Sequence, residues 1–191
     1  LKLVIFFFKL QTETMPEPYV CQLDADTKTT LKLYLFKKVQ NVEAIRNKII
    51  KGEWQCAVVK PSLVVDPFQV AVAANRAVVA REQGALVTRT VYAEILYNLS
   101  LTKNISQSLT KFGIEKGQDL LICFLITAEE DASQDILPQI EGELCPISDL
   151  SNLTNLKDLK SVYKLNNLKS KVNLLDIIVS RMVTKIVHIQ K

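Results

Sequence analysis

Apolar and polar positions alternate along LKLYLF, Leu31–Phe36, where Leu31, Leu33 and Leu35 are interleaved with Lys32 and Tyr34. A period of two places one set of side chains on each face of a sheet, so the stretch predicts a β-strand. The period then changes. Behind Asn41, a candidate N-cap, Val42, Ile45 and Ile49 recur at helical spacing, and Gly52 supplies a stop. AVVKPSLVVDP holds two short apolar runs split by Pro61, which predicts strand pieces or an irregular crossover. Asp66-Pro67 is a start signal, Asp at the N-cap and Pro at the first helical position. The predicted helix runs from Phe68 to Gln83, stops at Gly84, and carries Phe68, Ala71, Val72, Asn75 and Val79 along one face.

The pattern continues with a helix over Val91–Asn98, bringing Val91, Ile95 and Leu99 together. A short one follows in NISQSLTKFG, with Ile105, Leu109 and Phe112 on one side and Gly113 closing it. LLICFLI, Leu120–Ile126, is apolar at every position, as in a central strand covered on both faces. EEDASQDILPQ is read as a polar loop or linker. Leu150, Leu153, Leu156 and Leu159 then recur every three residues, predicting helix turns against a core. The last segment, KVNLLDIIVSRMVTKIV, sets Leu175, Ile178, Val179, Met182, Val183 and Ile186 on a wide helical stripe. A terminal helix this apolar either finishes the core or is completed by another protein. Together these elements predict the α/β class: a single domain with a mixed β-sheet packed by several α-helices. A length of 191 residues agrees with one domain.

The N-terminal stretch LKLVIFFFKL does not fit the pattern. Its apolar run, Leu3 to Phe8, is six residues, and no small-x-small cleavage site follows, so it is a poor secretory signal. It also falls far short of the ~18–20 residues of a membrane span. No membrane role is therefore expected. Met15 stands directly before PEPYV, and residues 1–14 are expected to be an extension to a domain covering 15–191.

Composition adds little and excludes much. The chain is 48% hydrophobic and 23% charged, as globular domains are. A net charge of +4 permits contact with RNA or acidic partners without requiring either. Cys21, Cys56, Cys123 and Cys145 are widely spaced with no CxxC pair, which suggests neither a zinc site nor a redox dithiol. The single histidine, His188, lies four residues from the end. The five glycines form no phosphate-binding loop; Gly113 and Gly117 read as a helix stop and a turn. Glu129, Glu130 and Asp131 read as a solvated loop, and Glu94 as a partner for Arg76 or Arg89. No metal, cofactor or catalytic residue is expected. The inventory suits a binding subunit better than an enzyme.

VVDPFQVAVAANRAV, TRTVYAEILYNLS, NISQSLTKFGI, the VYKL stretch and LLDIIVSRM occur in an order and spacing that resemble the PRPK-binding protein (TPRKB) family. The resemblance runs from about Gln22 to Thr184. It implies a single α/β domain without catalytic activity that binds the atypical kinase PRPK of the KEOPS (EKC) complex directly. Other KEOPS subunits would then be reached through the kinase. That complex places N6-threonylcarbamoyl on adenosine 37 of tRNA, and relatives of this subunit help hold the tRNA 3′ end. Cytosol and nucleus are the implied compartments.

With that implication, Leu174, Ile178, Arg181 and Met182 of the last helix are candidate kinase contacts, an apolar-plus-arginine mix enriched at interface cores. Arg76, Arg81, Arg89, Lys103 and Lys111, near predicted helix ends, are candidate tRNA contacts. For each, the competing expectation is a core position or a solvated face. A rival identity is a secreted or lumenal glycoprotein with an uncharacterised binding role, using sequons at Asn98, Asn104 and Asn152. The short apolar run and the missing cleavage site speak against it. An orphan small-molecule enzyme is disfavoured by the lone terminal histidine.

Overall fold

The computed structural model describes residues 15–114, 117–166 and 173–187. Residues 1–14 and His188 lie outside the described residues, and with them the expected extension.

Among the described residues the strands are β1 (Tyr19–Gln22), β2 (Thr30–Lys37), β3 (Ala57–Val59), β4 (Leu120–Ile126) and β5 (Glu143–Cys145). The helices are α1 (Val42–Ile50), α2 (Pro67–Glu82), α3 (Val91–Leu99), α4 (Ile105–Phe112), α5 (Ser133–Ile136), α6 (Leu150–Leu153), α7 (Leu156–Val162) and α8 (Leu174–Val187). The sheet order is β1-β2-β4-β3, and β5 also pairs with β2. All four pairings are antiparallel: β1 and β5 share one edge of β2, beside Thr30–Leu33 and Leu35–Lys37 respectively. The single α/β domain read from the sequence is this architecture. The sheet inside it is antiparallel where a mixed one was expected, a difference of pairing direction that apolar runs do not encode.

Side-chain alternation divides the interior into two layers. Leu31, Leu33 and Leu35 of β2, with Leu121, Cys123 and Leu125 of β4, face α2, α3, α7 and α8. Tyr34 and Phe36, with Leu120, Ile122 and Phe124, face Ile45 of α1, Trp54 and Ile136. β4 is thus covered on both sides, as its unbroken apolar run requires.

α2 is the long helix of the first layer. Asp66 caps it, its carboxylate accepting from the Phe68 N–H at 2.8 Å, with Pro67 at the first position. Ala73, Ala74 and Ala77 are fully buried, and their small side chains let α3 approach closely enough for the Asn98 amide to donate to the Ala73 carbonyl at 3.2 Å. That corrects the face read from sequence. Of the predicted face only Ala71 is buried; the packed face is Val70, Ala71, Ala73, Ala74, Ala77 and Val78, whereas Phe68 is 48% exposed and Val72, Asn75 and Val79 are half-buried. An alanine-rich helix has a weak apolar contrast, so both faces look plausible in the sequence.

Three further readings change. Asn41 precedes α1 but makes no cap; its amide donates to the Gln139 carbonyl and accepts from the Glu141 N–H, joining two loops. The segment read as a polar linker holds α5 and buries Ile136. Asp131 in it is bound to Lys32 at 2.7 Å. The leucine repeat is two short helices broken at Thr154, with Leu150 and Leu159 buried and Leu156 52% exposed.

Candidate functional site

Two concave surfaces stand out among the described residues. The first is a groove of ≈ 610 Å³ between β1, α2 and α8, lined by Cys21, Leu23, Phe68, Val72, Arg76 and Val183. The Asn75 amide oxygen accepts from the Asp24 N–H at 2.7 Å and fixes the turn after β1 to α2. Across the groove, the Arg76 guanidinium donates to the Met182 carbonyl of α8 at 3.0 Å. Phe68 and Val183 remain 48% and 41% exposed. Leu23, Phe68, Val72 and Val183 beside one arginine, with Gln22, Asp24 and Asn75 at the same groove, give the apolar-plus-arginine mix found at interface cores.

The second groove, ≈ 880 Å³, lies between α4, α7 and the 3₁₀ turn Pro61–Leu63. Lys60, Lys111 and Lys164 line it, as do the hydroxyls of Ser100, Thr102, Thr110 and Ser161 and the Asp158 carboxylate. Donors and positive charge with few apolar side chains suit an anionic, hydrogen-bonding ligand. Beneath it lies a buried polar junction. Gln69 donates to the Tyr163 hydroxyl at 2.8 Å, and that hydroxyl donates to the Leu99 carbonyl at 2.7 Å. Burial pushes the Tyr163 phenol far above its usual range.

α8 is attached by cations that reach across to carbonyls. Lys185 donates to the Tyr97 carbonyl at 2.7 Å, in the last turn of α3, and its ammonium stands 3.4 Å from the Tyr97 ring centroid. Arg181 donates to the carbonyls of Tyr163 and Lys164, at 2.6 and 3.0 Å, just past α7. Both bind at the C-terminal end of a helix, where its dipole is negative; the Tyr97 carbonyl also accepts from the Ser100 N–H at 3.2 Å. Burial lowers the Lys185 pKa to about 8, Arg76 adds to that, and Glu94 opposes it. Burial also pushes the Cys56 thiol up to about 12, so it stays protonated and inert at neutral pH.

The candidate kinase contacts separate into two kinds. Ile178 and Met182 are 0% exposed and belong to the first core layer. This corrects their reading as exposed contacts: they support the helix and present no surface of their own. Leu174 and Arg181 are half-buried. Among the candidate tRNA contacts, Arg76 is committed to α8, and Arg81 pairs with Glu82 at 3.2 Å. Arg89, Lys103 and Lys111 are exposed, and Lys111 lines the second groove. Sequence reasoning missed Phe68 and Val183 as surface, and Lys60 and Lys164 as neighbours of Lys111. Asn98, the first sequon, is 3% exposed and bonded to α2, so it cannot carry a glycan in this fold. Glu94 is buried and accepts from the Thr88 N–H and hydroxyl at 2.7 and 2.6 Å.

The α/β domain with its antiparallel sheet thus carries two separate grooves, one with apolar side chains around Arg76 and one lined by lysines and hydroxyls. The profile of the family described as "Kinase binding protein CGI-121" matches residues 36–186, and the chain belongs to that family. It is 35% identical over 159 residues to the zebrafish (Danio rerio) EKC/KEOPS complex subunit TPRKB, covering 82% of this chain and 91% of that protein. It is 29% identical over 146 residues to the EKC/KEOPS complex subunit cgi121 of Aspergillus fumigatus, covering 72% and 77% respectively. The corresponding subunit of Kluyveromyces lactis is 27% identical over 121 residues, covering 63% and 76%.

Proposed function

We propose that this chain is a non-catalytic subunit of the KEOPS/EKC complex that binds the atypical kinase PRPK and supports N6-threonylcarbamoylation of adenosine 37 in tRNA. The observation that carries this reading is membership of a kinase-binding family whose relatives are named as subunits of that complex. The groove between β1, α2 and α8 is the proposed kinase surface. Phe68 and Val183 would enter the partner's apolar surface; Leu174 and Arg181 lie on the opposite side of α8 from Val183, outside this groove, and are not part of the proposed contact. Other subunits are reached through the kinase, and cytosol and nucleus are the proposed compartments. The cationic groove, with the exposed Arg89 and Lys103 as outlying charges, is the proposed tRNA contact, suited to the single-stranded 3′ end. The test is reconstitution. The chain should co-purify with the kinase and raise threonylcarbamoyl-adenosine formation on tRNA by the remaining subunits, while showing no turnover alone. Failure to co-purify, with both proteins folded, contradicts the assignment.

A further inference from the structure

Lys164 has φ 56°, the left-handed region that favours glycine. It sits just past α7 in a Schellman turn: the Lys164 N–H donates to the Ser161 carbonyl at 3.2 Å and the Leu165 N–H to the Lys160 carbonyl at 2.7 Å. Glycine is the usual occupant of this position. Here the position carries an exposed lysine, one of the residues that line the cationic groove with Lys60 and Lys111. Arg181 of α8 grips the carbonyls on both sides of the strained residue, those of Tyr163 and Lys164. The remaining charge lining the groove is Asp158, whose carboxylate accepts from the Asn155 amide at 2.7 Å.

An unfavourable backbone conformation persists where surrounding contacts over-determine it, and it points to function when the side chain it presents faces a site. We propose that Lys164 is a phosphate-binding residue of the groove, and that Arg181 is its positioning residue, holding the left-handed turn so that the ammonium faces a single-stranded polynucleotide. The inference rests on the reading of this groove as an RNA contact and adds the two residues and their order of action. Arg181 then has its effect through Lys164, not by touching RNA.

The test is fluorescence anisotropy of the full chain with a labelled single-stranded RNA of about ten nucleotides. Lys164→Gly removes the amine and relieves the backbone, so it should melt no lower than the parent while binding RNA about three- to tenfold more weakly. Arg181→Met should weaken binding by a similar factor with the groove lysines intact, and Arg181→Lys should restore part of it. The decisive sample is the double variant Lys164→Gly/Arg181→Met: its affinity should match the weaker single variant. Losses that multiply in the double variant, or a Lys164→Gly variant that binds as the parent does, overturn the inference. If Lys111→Glu weakens binding while Lys164→Gly does not, the groove reading stands and this assignment alone fails. A parent chain that binds no RNA overturns both.

Discussion

Lys185 is 8% exposed, donates to the Tyr97 carbonyl and lies over the Tyr97 ring. Its side chain illustrates a general conflict at single residues: hydrogen bonds and a cation–π contact favour the ammonium, and desolvation opposes it. Desolvation prevails, since the pKa falls from 10.5 to about 8. The sign follows. Between those two values the unfolded chain holds a proton that the folded chain has released, so this residue makes folding more favourable as pH rises. Cys56 and Tyr19 are raised to about 12 and act in the opposite direction above their ordinary values of 9 and 10. The Lys185 contribution is therefore isolated by a difference. Lys185→Met should equal or exceed the parent in urea midpoint at pH 7, because a thioether of similar length removes a buried charge. The advantage should shrink as pH rises from 8 toward 10.5. An advantage that grows with pH would refute the assignment. A second residue-scale expectation concerns Gly113, where a Cβ would stand 2.5 Å from the Leu109 carbonyl oxygen. Gly113→Ala has to move backbone and should destabilise by about 1–3 kcal/mol in chemical denaturation.

Helices and strands differ in how much of them the sequence reveals. β4 is legible because every one of its positions is apolar, and α2 begins where Asp66 and Pro67 place it. Asp66→Ala should remove the bond to the Phe68 N–H and cost about 1 kcal/mol, read as a lower melting temperature. The packed face of α2 was not legible. Its buried stripe is mostly alanine, with Val70 and Val78, whereas Phe68 and Val72 lie toward the groove. Size misleads there: large apolar residues mark the core only when no partner claims them. α8 shows the same division. Of its predicted apolar stripe, Ile178 and Met182 are core, Leu175 and Val179 are half-buried, and Val183 faces outward. The cationic groove was legible at Lys111 alone. Lys60 and Lys164 are far from it in sequence, and a tertiary contact between loop ends leaves no local pattern.

At the scale of the whole molecule, α8 links the two surfaces. Val183 contributes to the apolar groove, Arg181 supports the turn that carries Lys164 into the cationic groove, and Ile178 and Met182 anchor the helix to the sheet layer between them. The two grooves share no lining residue, so under the proposed function the kinase and the RNA would not compete for one face. The face built by β1, α2 and α8 is the proposed kinase surface. Isothermal titration of the kinase with the full chain and with Phe68→Glu/Val183→Glu tests it most directly, with Leu156→Glu on α7 as an exposed control. Placing charge at a desolvated interface centre should weaken binding by at least about tenfold, with unfolding midpoints unchanged and the control at parental affinity. Parental affinity in the Phe68→Glu/Val183→Glu variant, with the fold intact, would contradict the account.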